Sequence, residues 1–299
     1  MRIVRGILLA VTAVCLFFLA QAALSSHRQR QQQRILQEMR ENAMKAVESR
    51  EPLEPQETVP SAVPEETPSP TAVPEETPSP TAVPEETPSP TAMPEETPSP
   101  TATPEPVMLE KYADLYRENS DLVGWLSIEG MVIDYPVMQC EDDEYYLHHD
   151  FYGQDSKYGC LYVRNRADVN TPGTNFIIYG HNMKDGSMFG DLDLYRRESF
   201  FQEHPVICFD TLYEERTYEI LAVFRSQVYN SDDDVFRYYQ FYEAQTQEEF
   251  DDFYENIKEL SLYDTGVTAE FGDSFLTLST CAYHVEDGRF AIVAKKLPH

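Results

Sequence analysis

Ser274-Phe-Leu-Thr-Leu-Ser-Thr-Cys281 decides how this chain is read. It predicts a strand over Ser274 to Thr280, with a cysteine at its end. A second β-rich run, Asn175-Phe-Ile-Ile-Tyr179, leads into Gly180-His181. A third begins at Arg289 and runs to Lys295. Cysteine, histidine and arginine, each at a strand end or on a neighbouring strand, are the parts of a thiol acyl-transfer site. The thiolate is the reactive form, and a nearby cation favours it. A histidine can exchange protons with leaving and incoming groups, and an arginine can hold an oxyanion. Taken alone, a cysteine in an apolar strand reads as a core residue; the Thr-Leu-Ser-Thr before it and Arg289 after it favour a nucleophile.

Around these runs lie five more short β-rich segments: Gly124 to Ile128, Met131 to Val137, Gly159 to Val163, Val206 to Phe209 and Thr217 to Val228. Together they predict an eight-stranded, mostly β barrel with peripheral helices. One helix is expected over Met108 to Asn119, with Leu109, Tyr112, Leu115 and Tyr116 on one face. A longer one is expected over Tyr242 to Leu260, with Phe250, Phe253, Tyr254 and Ile257 on one face. Residues 108–299 suffice for one domain with a full core.

Charge divides the chain. Residues 1–50 carry net +5, residues 51–107 net −12 with twelve Glu and no basic residue, and residues 108–299 net −22. An acidic domain lacks the basic footprint of a nucleic-acid binder. Arg2 and Arg5 precede an apolar run from Ile7 to Leu24, near the lower limit for a membrane-spanning helix. Residues 1–26 therefore read as a single-pass anchor, N-in and C-out. Ala20-Gln21-Ala22 also fits a cleavage site, which keeps a signal peptide as the rival. Residues 27–50 read as a short juxtamembrane helix.

Residues 61–100 are four near-identical copies of a ten-residue unit, Ser/Thr-Ala-Val/Met-Pro-Glu-Glu-Thr-Pro-Ser-Pro. Three prolines per unit exclude helix and central strand. With almost nothing apolar to bury, residues 51–107 read as a disordered, polyproline-like stalk. Extended at about 3.1 Å per residue it spans roughly 170 Å, so its expected function is reach.

Five cysteines (Cys15, Cys140, Cys160, Cys208, Cys281) show no metal-like spacing. Cys140, Cys160 and Cys208 read as small buried hydrophobes, with a Cys140–Cys160 bridge the weaker alternative. His284, three residues after Cys281, is the one competitor to His181. The acidic runs at Glu141 to Glu144 and Asp232 to Asp234 read as solvated loops, and neither metal nor cofactor is expected.

These motifs carry a resemblance. Asn119-Ser-Asp-Leu-Val-Gly-Trp-Leu, Asp134-Tyr-Pro-Val, Glu144-Tyr-Tyr-Leu, Ile178-Tyr-Gly-His-Asn-Met, Thr277-Leu-Ser-Thr-Cys281 and Gly288-Arg-Phe-Ala-Ile-Val-Ala-Lys resemble class B sortases. These are the membrane-anchored cysteine transpeptidases of Gram-positive cell surfaces. The resemblance covers nearly all of residues 108–299; the Pro-Glu repeat lies outside it. It implies an eight-stranded sortase-type barrel with Cys281 as nucleophile, His181 as general acid/base and Arg289 at the substrate carbonyl or oxyanion. It further implies that Ser279, Tyr179, Leu147 and Thr280 bind substrate. The implied partners are proteins ending in a sorting motif, and an amine of peptidoglycan or its lipid-linked precursor. The catalytic domain is expected to be monomeric and to face the cell wall. The alternatives are a pilin polymerase, a cysteine hydrolase and, in a different class, a non-catalytic stalked module. The chain order His, Cys, Arg disfavours a papain-type hydrolase.

Overall fold

The computed structural model describes residues 2–49, 106–230, 232–282 and 285–298. The repeat region 51–105, His284 and His299 therefore lie outside the described residues.

Eight strands close into a barrel: β1 (Leu122–Ser127), β2 (Asp134–Met138), β3 (Leu161–Tyr162), β4 (Asn175–Tyr179), β5 (Val206–Thr211), β6 (Thr217–Gln227), β7 (Phe275–Cys281) and β8 (Gly288–Lys296). The order around the barrel is β1-β2-β3-β4-β7-β8-β6-β5, with β5 closing onto β1. The β2/β3 and β4/β7 pairs are parallel and the other neighbours antiparallel. The alternating side chains of β4 and β7 explain why the barrel holds. Phe176, Ile178, Leu276 and Leu278 point into a core shared with Leu126, Phe209 and Ile292. On the outer side, Phe275 packs under Phe250, Phe253 and Ile257 of α5 (Gln247–Leu260).

The helix expected from Tyr242 begins only at Gln247. Thr246 caps it, accepting from the Glu249 amide at 3.2 Å. The preceding residues are tied to the edge of β4. The Asn175 amide donates to the Tyr242 carbonyl at 3.0 Å, and the Ala244 amide donates to Thr174 Oγ1 at 2.9 Å. That segment is thereby held against the N-terminal end of β4.

The anchor and juxtamembrane segments are one helix, α1 (Arg2–Glu48). Residues 27–48 contain no Gly or Pro and are rich in Gln, Arg, Glu, Ala and Met, so nothing stops the helix at the end of the apolar run. Its apolar first half is exposed at Leu16, Phe17, Phe18 and Leu19, and is long and apolar enough to cross a membrane. Its second half packs on the barrel and on α2 (Glu110–Glu118). Leu36 is buried there. Arg40 pairs with Asp134 at 3.0 Å and lies over the Trp125 ring, 4.7 Å from its centroid. Gln37 donates to the Asp134 carbonyl at 3.1 Å, and Gln32 to the Asp150 carboxylate at 2.8 Å. The helix that carries the apolar run thus also packs on the barrel through its second half, while the stalk expected over 51–107 falls almost wholly outside the described residues.

Candidate active site

Parallel pairing of β4 with β7 ends at the rung Tyr179↔Ser279. The two chains stay stitched beyond it. The Gly180 amide donates to the Ser279 carbonyl at 3.2 Å. Thr280 Oγ1 donates to the Gly180 carbonyl at 2.7 Å, and Asn182 Nδ2 donates to the Cys281 carbonyl at 2.8 Å. Side chains thus extend the ladder past its last backbone rung and hold His181 near Cys281. Position 180 has room only for glycine: a Cβ there would stand 2.4 Å from Leu161 Cδ2 and 2.8 Å from Phe189 Cδ2.

Across the β7/β8 pair, Cys281 stands directly opposite Arg289. Such cross-strand partners have Cβ atoms about 4.5–5.5 Å apart. The guanidinium is steadied by its own turn, where Nη1 donates to the Gly288 carbonyl at 3.0 Å. His181 Nε2 lies 2.8 Å from the Leu147 carbonyl. A carbonyl only accepts, so Nε2 carries the proton and Nδ1 is the nitrogen left to exchange one. Leu147 comes from α3 (Tyr145–His148), so the chain after β2 orients the imidazole.

These groups line one cleft of about 380 Å³. All seven residues singled out from the sequence lie on its wall: His181, Cys281, Arg289, Ser279, Tyr179, Leu147 and Thr280. Thr280 is only 3% exposed, and its hydroxyl proton is committed to Gly180. Sequence reasoning missed Tyr238, Tyr162, Arg164 and the part played by Asn182. Tyr238 Oη and Ser279 Oγ share a buried hydrogen bond of 2.8 Å. Burial pushes the Tyr238 phenol up to about 12, so it stays protonated and can donate. The signal available was the aromatic run Phe236 to Tyr242, with no spacing rule to tie it to a cysteine forty residues on.

Three other thiols of the described domain lie outside this cleft. Cys140, Cys160 and Cys208 are all free, and burial pushes each thiol up and away from the thiolate. Cys160 is buried as expected, while Cys140 and Cys208 are only partly so.

With this geometry in hand, comparison with known proteins becomes specific. A sortase-domain family model matches residues 126–297. The chain belongs to the sortase family. Sortase B of Listeria monocytogenes is 36% identical over 192 residues, covering 62% of this chain and 74% of that protein. Sortase B of Staphylococcus aureus is 28% identical, with the same coverage. Among solved structures, sortase B from Bacillus anthracis superposes with a TM-score of 0.57 at 33% identity, covering 65% of this chain and 90% of the other. A Staphylococcus aureus sortase B–substrate complex superposes with a TM-score of 0.57 at 26% identity, covering 64% and 86%. The barrel is thus the sortase fold, its relatives are of the B type, and the family chemistry is that of a cysteine transpeptidase.

Proposed function

We propose that this sortase cleaves a C-terminal sorting motif after Thr and transfers the acyl group, through a thioacyl enzyme on Cys281, to an amine. The observation that carries the reading is the register Cys281↔Arg289, with His181 on the wall of the same cleft. The Cys281 sulfur attacks the Thr carbonyl carbon. Negative charge gathers on the carbonyl oxygen, where the Arg289 guanidinium donates to it. The peptide C–N bond breaks, and imidazolium His181 protonates the departing amine. In the second step an amine attacks the thioester, His181 takes its proton, and the Cys281 thiolate leaves. Ser279, Tyr179 and Leu147 bind the motif, of the Asn-Pro-Gln-Thr-Asn or Ser/Pro-Pro-x-Thr-Gly kind. Thr280 lines the same wall as the fourth substrate-binding residue, with its hydroxyl donated to the Gly180 carbonyl.

In this reading α1 spans the cell membrane once, N-in and C-out, and the barrel works outside, at the cell wall of a Gram-positive bacterium. The acceptor is an amine of peptidoglycan or its lipid-linked precursor, and no cofactor takes part. Cys281→Ala is expected to abolish thioester formation with a sorting-motif peptide, read by intact-protein mass spectrometry. A covalent adduct retained in that variant sinks the assignment of the nucleophile.

A further inference from the structure

We propose that Arg164, Arg166 and Tyr242 form a carboxylate-binding subsite that continues the catalytic cleft. The inference rests on the reading that the cleft takes peptide. Arg164 and Tyr179 line both the cleft and an adjoining hollow of about 300 Å³, on whose wall Arg166 and Tyr242 also lie.

The hydrogen bonding at Tyr242 is what singles the place out. Its hydroxyl donates its one proton to the Tyr239 carbonyl at 2.8 Å. The oxygen is therefore left to accept, and it does so twice, from Arg166 Nη2 at 2.7 Å and Arg164 Nη1 at 3.4 Å. Two guanidiniums converge on one neutral oxygen, so two like charges stand within a few ångströms of each other. Each also lies over a phenol ring: Arg164 over Tyr179 with its carbon 5.3 Å from the centroid, Arg166 over Tyr242 at 4.5 Å. Stacking and sharing leave both forks fixed before any ligand arrives.

What is missing is an anion. Among the described residues, no ion pair involves Arg164 or Arg166. The carboxylates nearby, Asp143, Asp168 and Glu243, form no ion pair with either guanidinium, although the charge of Asp143 helps hold Arg164 protonated and Asp168 and Glu243 lie on the wall of the hollow. Asp168 accepts from Thr171 Oγ1 at 2.6 Å and from two backbone amides, and Asp143 accepts from the Asn165 amide at 2.7 Å. Glu243 lines the hollow on the Gly173 side. In a domain of net −22, two neighbouring guanidiniums with no carboxylate in ion-pair contact among the described residues are a local exception. A planar carboxylate matches the fork of a guanidinium and relieves the repulsion between the two. That carboxylate belongs to a peptide in the cleft, either the sorting peptide beside its motif or the amine acceptor.

The test uses the full-length protein in detergent micelles. Peptides with an Asn-Pro-Gln-Thr-Asn core carry Glu or Gln at each of the flanking positions in turn. Acylation rates are measured for the wild type, and equilibrium binding of the same peptides is measured on Cys281→Ala. A second arm compares triglycine with triglycine amide as acceptor. One arm is expected to favour the carboxylate roughly five- to tenfold, the yield of a part-exposed charge-assisted pair. Arg164→Gln with Arg166→Gln should bring that ratio to about one. Because the readout is a ratio within each protein, general damage by the substitutions cancels, and Arg166→Gln alone serves if the double variant fails to fold. Ratios near one in the wild type in both arms, or a preference that survives the double substitution, overturn the subsite. Failure of every peptide to form a thioester counts against the acylation reading instead, and the binding ratio then decides the subsite by itself.

Discussion

Two of the arginine-on-aromatic clusters among the described residues, one on the α1 face and one at the cleft, are built to opposite ends. On the α1 face, Asp134 Oδ1 accepts from the Trp125 indole at 2.6 Å and from Arg40 at 3.0 Å, while Arg40 covers the Trp125 ring. Tyr112 stacks on the other partner, its centroid 6.4 Å from Trp125. Every charge there has its counter-charge. At the cleft, the hydrogen bonds of Arg289 among the described residues go to backbone carbonyls of its own turn, and Arg164 and Arg166 share a phenol. A cluster whose charges are paired fastens one element to another, even though Arg40 Nε there stays without a partner. One whose guanidiniums lack a carboxylate in contact keeps its charge for something that arrives from outside. Variants of the two clusters should therefore fail in different ways.

The largest effect should come from the cleft. Arg289→Lys keeps the charge but loses the planar fork, and kcat/KM is expected to fall about 10²–10³-fold, the cost of removing one oxyanion donor. Thermal unfolding should be nearly unchanged, since Arg289 makes no side-chain ion pair among the described residues. Near-normal turnover would break the contrast by making Arg289 a structural residue.

On the docking face the order reverses. Asp134→Ala strands the Trp125 indole and the Arg40 guanidinium together, an expected loss of about 2 kcal/mol in urea unfolding of the full chain. Turnover of a soluble sorting peptide should stay within about twofold. A parallel fall in turnover would show that the α1 face and the cleft are coupled, and the comparison would have to be redrawn.

How much of this was legible in the sequence follows the range of the interactions. The alternation of Asn175 to Tyr179 and of Ser274 to Thr280 is local, and both strands lie where the pattern put them. Cys281 and Arg289 are eight residues apart, within one hairpin, and the motif carried their pairing. The start of α5 was misplaced because Tyr242 and Ala244 bond to Asn175 and Thr174 at the start of β4, about seventy residues away, which no periodicity encodes. The docking of α1 was hidden for the same reason. Arg40 and Asp134 are separated by the Pro-Glu repeat, and a Gln/Arg-rich helix shows no broad apolar stripe, only Leu36 and its neighbours. Arg164 and Arg166 follow the run Gly159 to Val163 without belonging to any motif, and only the fold brings Tyr242 between them.

The smallest expected effect is also the most discriminating within the cleft. Asn182 follows His181, and its amide holds the Cys281 carbonyl at 2.8 Å, beyond the last backbone rung of β4 and β7. Asn182→Ala removes that stitch and leaves the other two, Gly180 to Ser279 and Thr280 to Gly180, in place. One part-buried hydrogen bond is worth about 1 kcal/mol, and a displacement of the thiol relative to the imidazole is charged to the chemical step. Acylation kcat is therefore expected to fall roughly tenfold with KM almost constant. Alkylation of Cys281 by iodoacetamide needs the thiolate but not the histidine as proton donor, so its rate should hold. If alkylation slows by the same factor, Asn182 acts on the thiol itself and not on its alignment. If neither rate changes, two stitches suffice to join the strands, and the position of His181 is set from the Leu147 side alone.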